Sequence, residues 1–191
     1  WLATVARTCA KNNMAVITGI EHVIINNKVY NLTAVILPFE DENYRCAHIV
    51  FHSKNHFAPD EIRQIEGYRL KAMDFNALKK KCQYELYSWN DFWFSVYCCY
   101  ELTSIVDRSI FQAYVDAIVA VEWNHDVNYY SNILESLSRD LHCYCIQVNT
   151  CDYGDSRITK PAKTELKDIL RTKGGEEASV LVGTIDIAAS R

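Results

Sequence analysis

The sequence predicts an α/β fold, helices covering a mixed sheet, and three observations carry that expectation. Two strand-like runs in the first half are joined by Asn26-Asn27, as in a hairpin. Strand-like and helix-like segments alternate in the second half, the order that builds parallel strand pairs. Hydrophobic residues make up 49% of the 191 positions, enough for a sizeable core in a single domain over residues 1–191.

Taken in order, Leu2, Val5, Ala6 and Cys9 share one helical face, and Asn12-Asn13 ends that helix. 'AVITGIEHVI' reads as a strand and 'KVYNLTAVIL' as its return, because asparagine tolerates the positive φ that a tight hairpin turn needs. 'CAHIVFH' is a third strand, leading into a polar loop around Lys54. Pro59-Asp60-Glu61 opens a helix, with acidic side chains near its positive end. Residues 68–91 are mixed and charged and carry no clear period. 'FWFSVYCC' is a strand, Thr103 to Tyr114 a helix, and 'DAIVAVEW' a strand again. Tyr130, Ile133, Leu134, Leu137 and Leu141 keep one face of the next helix apolar. 'CYCIQVN' and 'SVLVGTIDI' complete the strands, with a loop containing Tyr153-Gly154-Asp155-Ser156 between them.

The formal net charge is −4 and the 20 basic residues are scattered; the densest run, Lys79-Lys80-Lys81, reads as a solvated face. Direct nucleic-acid binding is therefore not expected. The apolar runs are too short to span a bilayer, so no membrane partner is expected either. The spacing of the eight cysteines suggests no disulfide framework, and most lie in apolar strands where a free thiol acts as a small hydrophobe. A reduced, cytoplasmic protein without a cofactor is the expectation.

Mixed sheets of this kind place polar groups for chemistry at strand ends, and three ends stand out: the Lys54 loop, the turn after Cys99, and the turn after Glu122-Trp123. A thiolate is favoured at the start of a helix, a setting that Cys99 followed by a helix from Thr103 would supply, with the Tyr100 backbone N–H aimed at an oxyanion. The plainer reading of Cys98 and Cys99 is core packing, since strand alternation turns one of them inward. In 'HSKNHFAPDE', Lys54, His56 and Glu61 can gather an ammonium and a carboxylate at one strand end; the plainer reading is an exposed loop with a surface ion pair. Cys143, Cys145 and Cys151, near His125 and His142, do not form the two spaced pairs of a zinc site, so no metal is expected.

In order and spacing, Lys54-x-His56, Glu61, a strand ending Cys99-Tyr100-Glu101-Leu102 and a strand ending in Trp123 resemble the nitrilase superfamily of carbon–nitrogen hydrolases. 'YGDSRITKP' resembles that family's hairpin and 'VGTIDI' its closing strand, so the resemblance runs from about Ala15 to Ile187. It implies a four-layer α-β-β-α sandwich that hydrolyses a small amide or nitrile through a Cys99 thioester. Lys54 and the Tyr100 N–H would stabilise the oxyanion, and Glu61 would hold Lys54 and help move protons. Trp123, Asn124 and Glu101 would line the substrate pocket. Lys54, Glu61 and Cys99 should then converge, with Cys99 rather than Cys98 as the reactive thiol.

The departures from the family pattern carry implications too. Ser95 stands where the family usually has glycine, and Ser53 where it often has arginine. The family's general-base glutamate belongs to an earlier strand, and neither Glu21 nor Glu40 occupies its place. The resemblance thus implies a domain lacking the first strand–helix unit and impaired in hydrolysis unless a larger protein supplies the base. An uncovered sheet edge would favour a homo-oligomer or a fused or partner domain. The rival reading is an inactive nitrilase-like module that binds a metabolite or regulates a larger protein. The block 'VEWNHDVNYYSNILESLSRDLHCY…YGDSRI' resembles a divergent branch of that family, whose members include nitrilase-like domains attached to bacterial reverse transcriptases in phage defence.

Overall fold

Asn26 and Asn27 both adopt left-handed conformations, with φ of 50° and 62°, and close the first hairpin as their residue type predicts. The computed structural model describes residues 1–41, 44–75, 77–174 and 179–188, the side chain of Glu21 lying outside the described residues. It divides into two compact units, Trp1–Gln83 and Tyr84–Arg191.

The first unit runs α1 (Leu2–Asn12), β1 (Val16–Ile25), β2 (Lys28–Asp41), β3 (Tyr44–Ser53), α2 (Pro59–Gly67) and β4 (Lys71–Ala72). Its sheet has the order β1-β2-β3, all antiparallel, and β4 adds a short parallel pairing at Lys28 and Val29. α1 ends at Asn13, whose φ of 49° is the left-handed helix stop foreseen from Asn12-Asn13. Its apolar face sets the fully buried Cys9 against Ala34 and Ile36 of β2. α2 begins with proline in the first turn and Asp60 and Glu61 behind it, and packs Ile65 against Val29 and Phe57. Because Asn27 sits at positive φ, Asn27→Val should cost about 1–2 kcal/mol of stability while Asn27→Gly is tolerated. Equal thermal midpoints for the two variants would contradict this account of the turn.

The second unit runs β5 (Tyr87–Trp89), β6 (Phe92–Cys98), α3 (Ile105–Arg108), β7 (Ala117–Glu122), α4 (Val127–Leu141), β8 (Tyr144–Asn149), β9 (Arg157–Thr159) and β10 (Asp168–Arg171). The strand order is β10-β9-β8-β7-β6-β5, with β6, β7 and β8 parallel and the flanking pairs antiparallel. β6 and β7 are buried along most of their length, which explains their near-continuous apolar sequences. α4 lays Tyr130, Ile133, Leu134, Leu137 and Leu141 into a core with Ile118, Ala120, Cys143 and Cys145, as the helical spacing predicts.

Two sequence expectations fail. Thr103 to Tyr114 is not one helix: a 3-10 turn covers Cys99–Thr103, α3 is a single turn, and a second 3-10 turn covers Ser109–Phe111. Ser104 is extended (φ −81°, ψ 110°) and spends its hydroxyl on the Asp107 N–H, while Ala113 is left-handed at φ 63°, so the chain is broken at both ends. 'SVLVGTIDI' is not a strand either, for residues 179–186 have no regular structure. They are held instead by Tyr144, whose hydroxyl donates to the Asp186 carbonyl and accepts from the Asp186 N–H. Among the described residues, no helix is long and apolar enough to cross a membrane.

Candidate active site

In the first unit the chain leaves β3 at Ser53 and turns Lys54 inward, its backbone N–H donating to the Asn31 carbonyl at 2.9 Å. The Lys54 side chain is 3% exposed, and its Nζ lies 2.6 Å from Glu61 Oε2 and 5.4 Å from the centre of the Phe57 ring. Glu61 reaches it from the first turn of α2. The other carboxylate oxygen accepts from His22 Nε2 and Asn31 Nδ2, both at 2.9 Å. Burial by itself would raise the Glu61 pKa, but the His22 hydrogen bond, the Lys54 charge and the Asn31 amide outweigh it and hold the carboxyl at about 2. The plainer expectation of an exposed loop ion pair is thus replaced by a buried one. Glu61 fits the task of holding Lys54; it does not fit a proton acceptor near neutrality, contrary to the second role the resemblance implied. His22 and Asn31, from β1 and β2, are partners that no sequence pattern announces.

In the second unit Cys98 ends β6 and is buried, while Cys99 is partly exposed with φ of 47°, opening the 3-10 turn. A left-handed cysteine is strained, and such strain persists only where the surroundings fix it. Glu101 supplies part of that fixing: it is fully buried, and its Oε2 accepts from the Cys98 N–H at 2.6 Å. The resemblance placed Glu101 at the substrate; its carboxylate points to the backbone of the turn. Tyr100 is the second residue of the turn, and its carbonyl accepts from the Thr103 hydroxyl at 2.8 Å. The helix expected to lower the thiol pKa is only this 3-10 turn, so a long helix dipole is not available to Cys99. Tyr130 of α4 touches the thiol instead, Cys99 Sγ donating to its hydroxyl at 3.8 Å. Burial, then the neighbouring Cys99, push the Tyr130 phenol far up, so it stays protonated.

The parallel strands β7 and β8 end beside β6, and their last residues are polar. Trp123 is 68% exposed and meets the Tyr153 ring edge-on at 5.6 Å. Asn124 is buried by the side chain of Asn149 from the end of β8, which accepts from the Asn124 N–H and donates to the Asn124 carbonyl. The same Asn149 amide also donates to the Gly154 carbonyl, tying the Tyr153-Gly154-Asp155-Ser156 loop to this turn. Asn124 Nδ2 and the neighbouring Glu122 Oε1 meet no partner at full hydrogen-bond geometry among the described residues, yet the two side chains are near enough for the amide to favour the Glu122 carboxylate. Glu122 Oε2 accepts from Gln147 Nε2 at 2.9 Å, and Gln147 accepts in turn from Arg157. Burial, opposed by Gln147, Asn124 and Arg157, raises the Glu122 pKa to about 7. Tyr130 and Asn149 were invisible in the sequence because their roles depend on which strand ends lie together.

No family model and no curated protein matches the sequence. Solved structures do match in fold. One is XC1258 from Xanthomonas campestris, a CN-hydrolase superfamily protein with an arsenic adduct in its active site: TM-score 0.72, 14% identity, 99% of this chain and 69% of that one. Saccharomyces cerevisiae Nit3, of branch 10 of the nitrilase superfamily, aligns with TM-score 0.67 and 15% identity over 92% of this chain and 62% of its own. The NitN amidase from Nesterenkonia sp. AN1 gives TM-score 0.65 and 10% identity over 91% and 64%. The chain thus spans between 62% and 69% of the length of these proteins. Its two sheets and their helices have the fold of the nitrilase, or CN-hydrolase, superfamily.

Proposed function

We propose that this chain carries the nucleophile-bearing part of a carbon–nitrogen hydrolase acting on small amides or nitriles. The observation that carries the reading is the left-handed Cys99 at the end of the parallel strand β6, in a fold shared with an amidase, a mutant of which shows Michael addition of acrylamide at the active-site cysteine. Cys99 attacks the substrate carbon; for an amide, the tetrahedral oxyanion collapses to a thioester as the amine leaves, and water then releases the acid. The buried Lys54 and the Tyr100 backbone N–H stabilise the oxyanion. Glu61 keeps Lys54 in place, and Trp123 and Asn124 bind the substrate at the neighbouring strand end. With Glu61 saturated by donors, the thiol proton goes to a different base.

An activated ester needs little general-base help, so p-nitrophenyl acetate should acylate Cys99, seen as a mass increment on its peptide, and Lys54→Met should slow the step at least tenfold. Acylation of Cys98 instead, or of neither residue in the folded protein, would favour the rival reading of an inactive binding or regulatory module. With Glu61 held low by His22, Lys54 and Asn31, unactivated amides should turn over poorly, general-base help being worth on the order of 10²–10⁴ in rate. Turnover at ordinary enzyme rates, abolished by Cys99→Ala, would place the base within these residues.

A further inference from the structure

A second thiol, in the first unit, has its own imidazole. Cys82 is partly exposed, and its Sγ lies 3.6 Å from His56 Nε2. The pair joins two stretches of irregular chain, the loop after β3 and the segment after β4; four hydrogen bonds stitch those stretches together around it and a fifth braces the second stretch. The fully buried Asn55 side chain donates to the Gln83 carbonyl and accepts from the Gln83 N–H, both at 2.9 Å, one residue from each member of the pair. The Asn55 carbonyl accepts from the Phe75 N–H at 2.9 Å. Asp74 accepts from the Phe57 N–H at 2.9 Å and from the Ala77 N–H at 2.8 Å. His56 is therefore held on both sides, at Asn55 and Phe57, and Cys82 on one side, at Gln83. Lys79, Lys80 and Lys81, all exposed, directly precede the thiol and add positive charge along its own segment.

We infer that Cys82 is a histidine-activated thiol that hydrogen peroxide oxidises to the sulfenic acid. A partly exposed thiol beside a histidine is the kind held as a thiolate. His56 takes the thiol proton. The thiolate sulfur attacks one peroxide oxygen, the O–O bond breaks, and the leaving hydroxide recovers a proton from His56 to become water. Sulfur is oxidised to S–OH and peroxide is reduced to water, so the step needs no other reactant. Nothing in it involves Cys99 or the proposed hydrolysis.

The test uses the whole chain at pH 6.5 with hydrogen peroxide, dimedone to trap sulfenic acid, and peptide mass mapping. Cys151 is the reference, because it is more exposed than Cys82 and accessibility alone would make it react faster. We expect dimedone on Cys82 at least about tenfold faster than on Cys151, an ordinary thiol being only about 1% ionised at that pH. His56→Gln should bring the two rates within about twofold, leaving Cys151 unchanged and the buried Cys9, Cys143 and Cys145 protected. Cys151 reacting as fast as Cys82 in the unaltered protein would overturn the inference without any variant, and so would an unchanged Cys82 rate in a folded His56→Gln protein.

Discussion

Glu61→Ala should destabilise the protein by about 3–5 kcal/mol at pH 7, because it leaves the buried Lys54 ammonium without its carboxylate. Replacing both members, with Lys54→Met and Glu61→Leu, should recover most of that loss, since an apolar pair of similar volume avoids the cost of burying charge. Urea denaturation of the two single variants and the double variant measures both numbers. A double variant no better than Glu61→Ala would mean that the carboxylate matters for something other than its lysine. The same pair sets the acid limit of the unit. The folded-state Glu61 pKa of about 2 lies below the ordinary 4.5, so its stabilisation is fully present above pH 4.5 and is lost as pH falls toward 2. That contribution is about 3 kcal/mol, one pKa unit being about 1.4 kcal/mol.

Glu122→Gln should act in the opposite direction and on the other side of the pH scale. The Glu122 pKa is raised from 4.5 to about 7, so between those values the folded protein keeps a proton that the unfolded chain releases. Stability therefore falls as pH rises through that window, by about 3 kcal/mol in total. A neutral glutamine removes that slope. At pH 8 the variant should exceed the unaltered protein by about 1–3 kcal/mol, the spread reflecting how well the new amide meets Gln147 and Asn124 Nδ2. At pH 4 the advantage should vanish. Parallel stability curves for the two proteins from pH 4 to 8 would show that folding does not raise the Glu122 pKa.

What the sequence conveyed depended on whether the relevant physics was local. Asn26-Asn27, the Asn13 stop, Pro59 and the apolar face of α4 each act within a few residues, and each element stands where its residues predicted. The failures share a cause. An apolar pattern predicts an element only if something buries it, yet Ile105 and Val106 are more than 70% exposed, as are Val180 and Val182. In the candidate site, the local motif brought out Lys54, Glu61 and Cys99. It could not reveal that His22 and Asn31 saturate Glu61, that Tyr130 meets the thiol, or that Asn149 pins Asn124, because those contacts come from strands and helices brought together only by the fold. The helix expected behind Cys99 was the costliest misreading, since the proposed lowering of its pKa rested on it.

The hold of Tyr144 on Asp186 gives the end of the second unit a stability of its own. One phenol supplies both a donor and an acceptor to a single residue, doing for 179–186 what a neighbouring strand does elsewhere with a whole ladder. Close packing adds to it at Gly183, where a Cβ would come within 2.6 Å of Leu170, so the backbone lies directly on β10. A stretch without regular structure opens far more often than a sheet, at a free energy well below global unfolding. Its amides should exchange with deuterium orders of magnitude faster than those of β7, and proteases should cut there first. Tyr144→Phe removes only the hydroxyl, and should turn that slow nibbling into immediate cleavage while the six-stranded sheet remains intact.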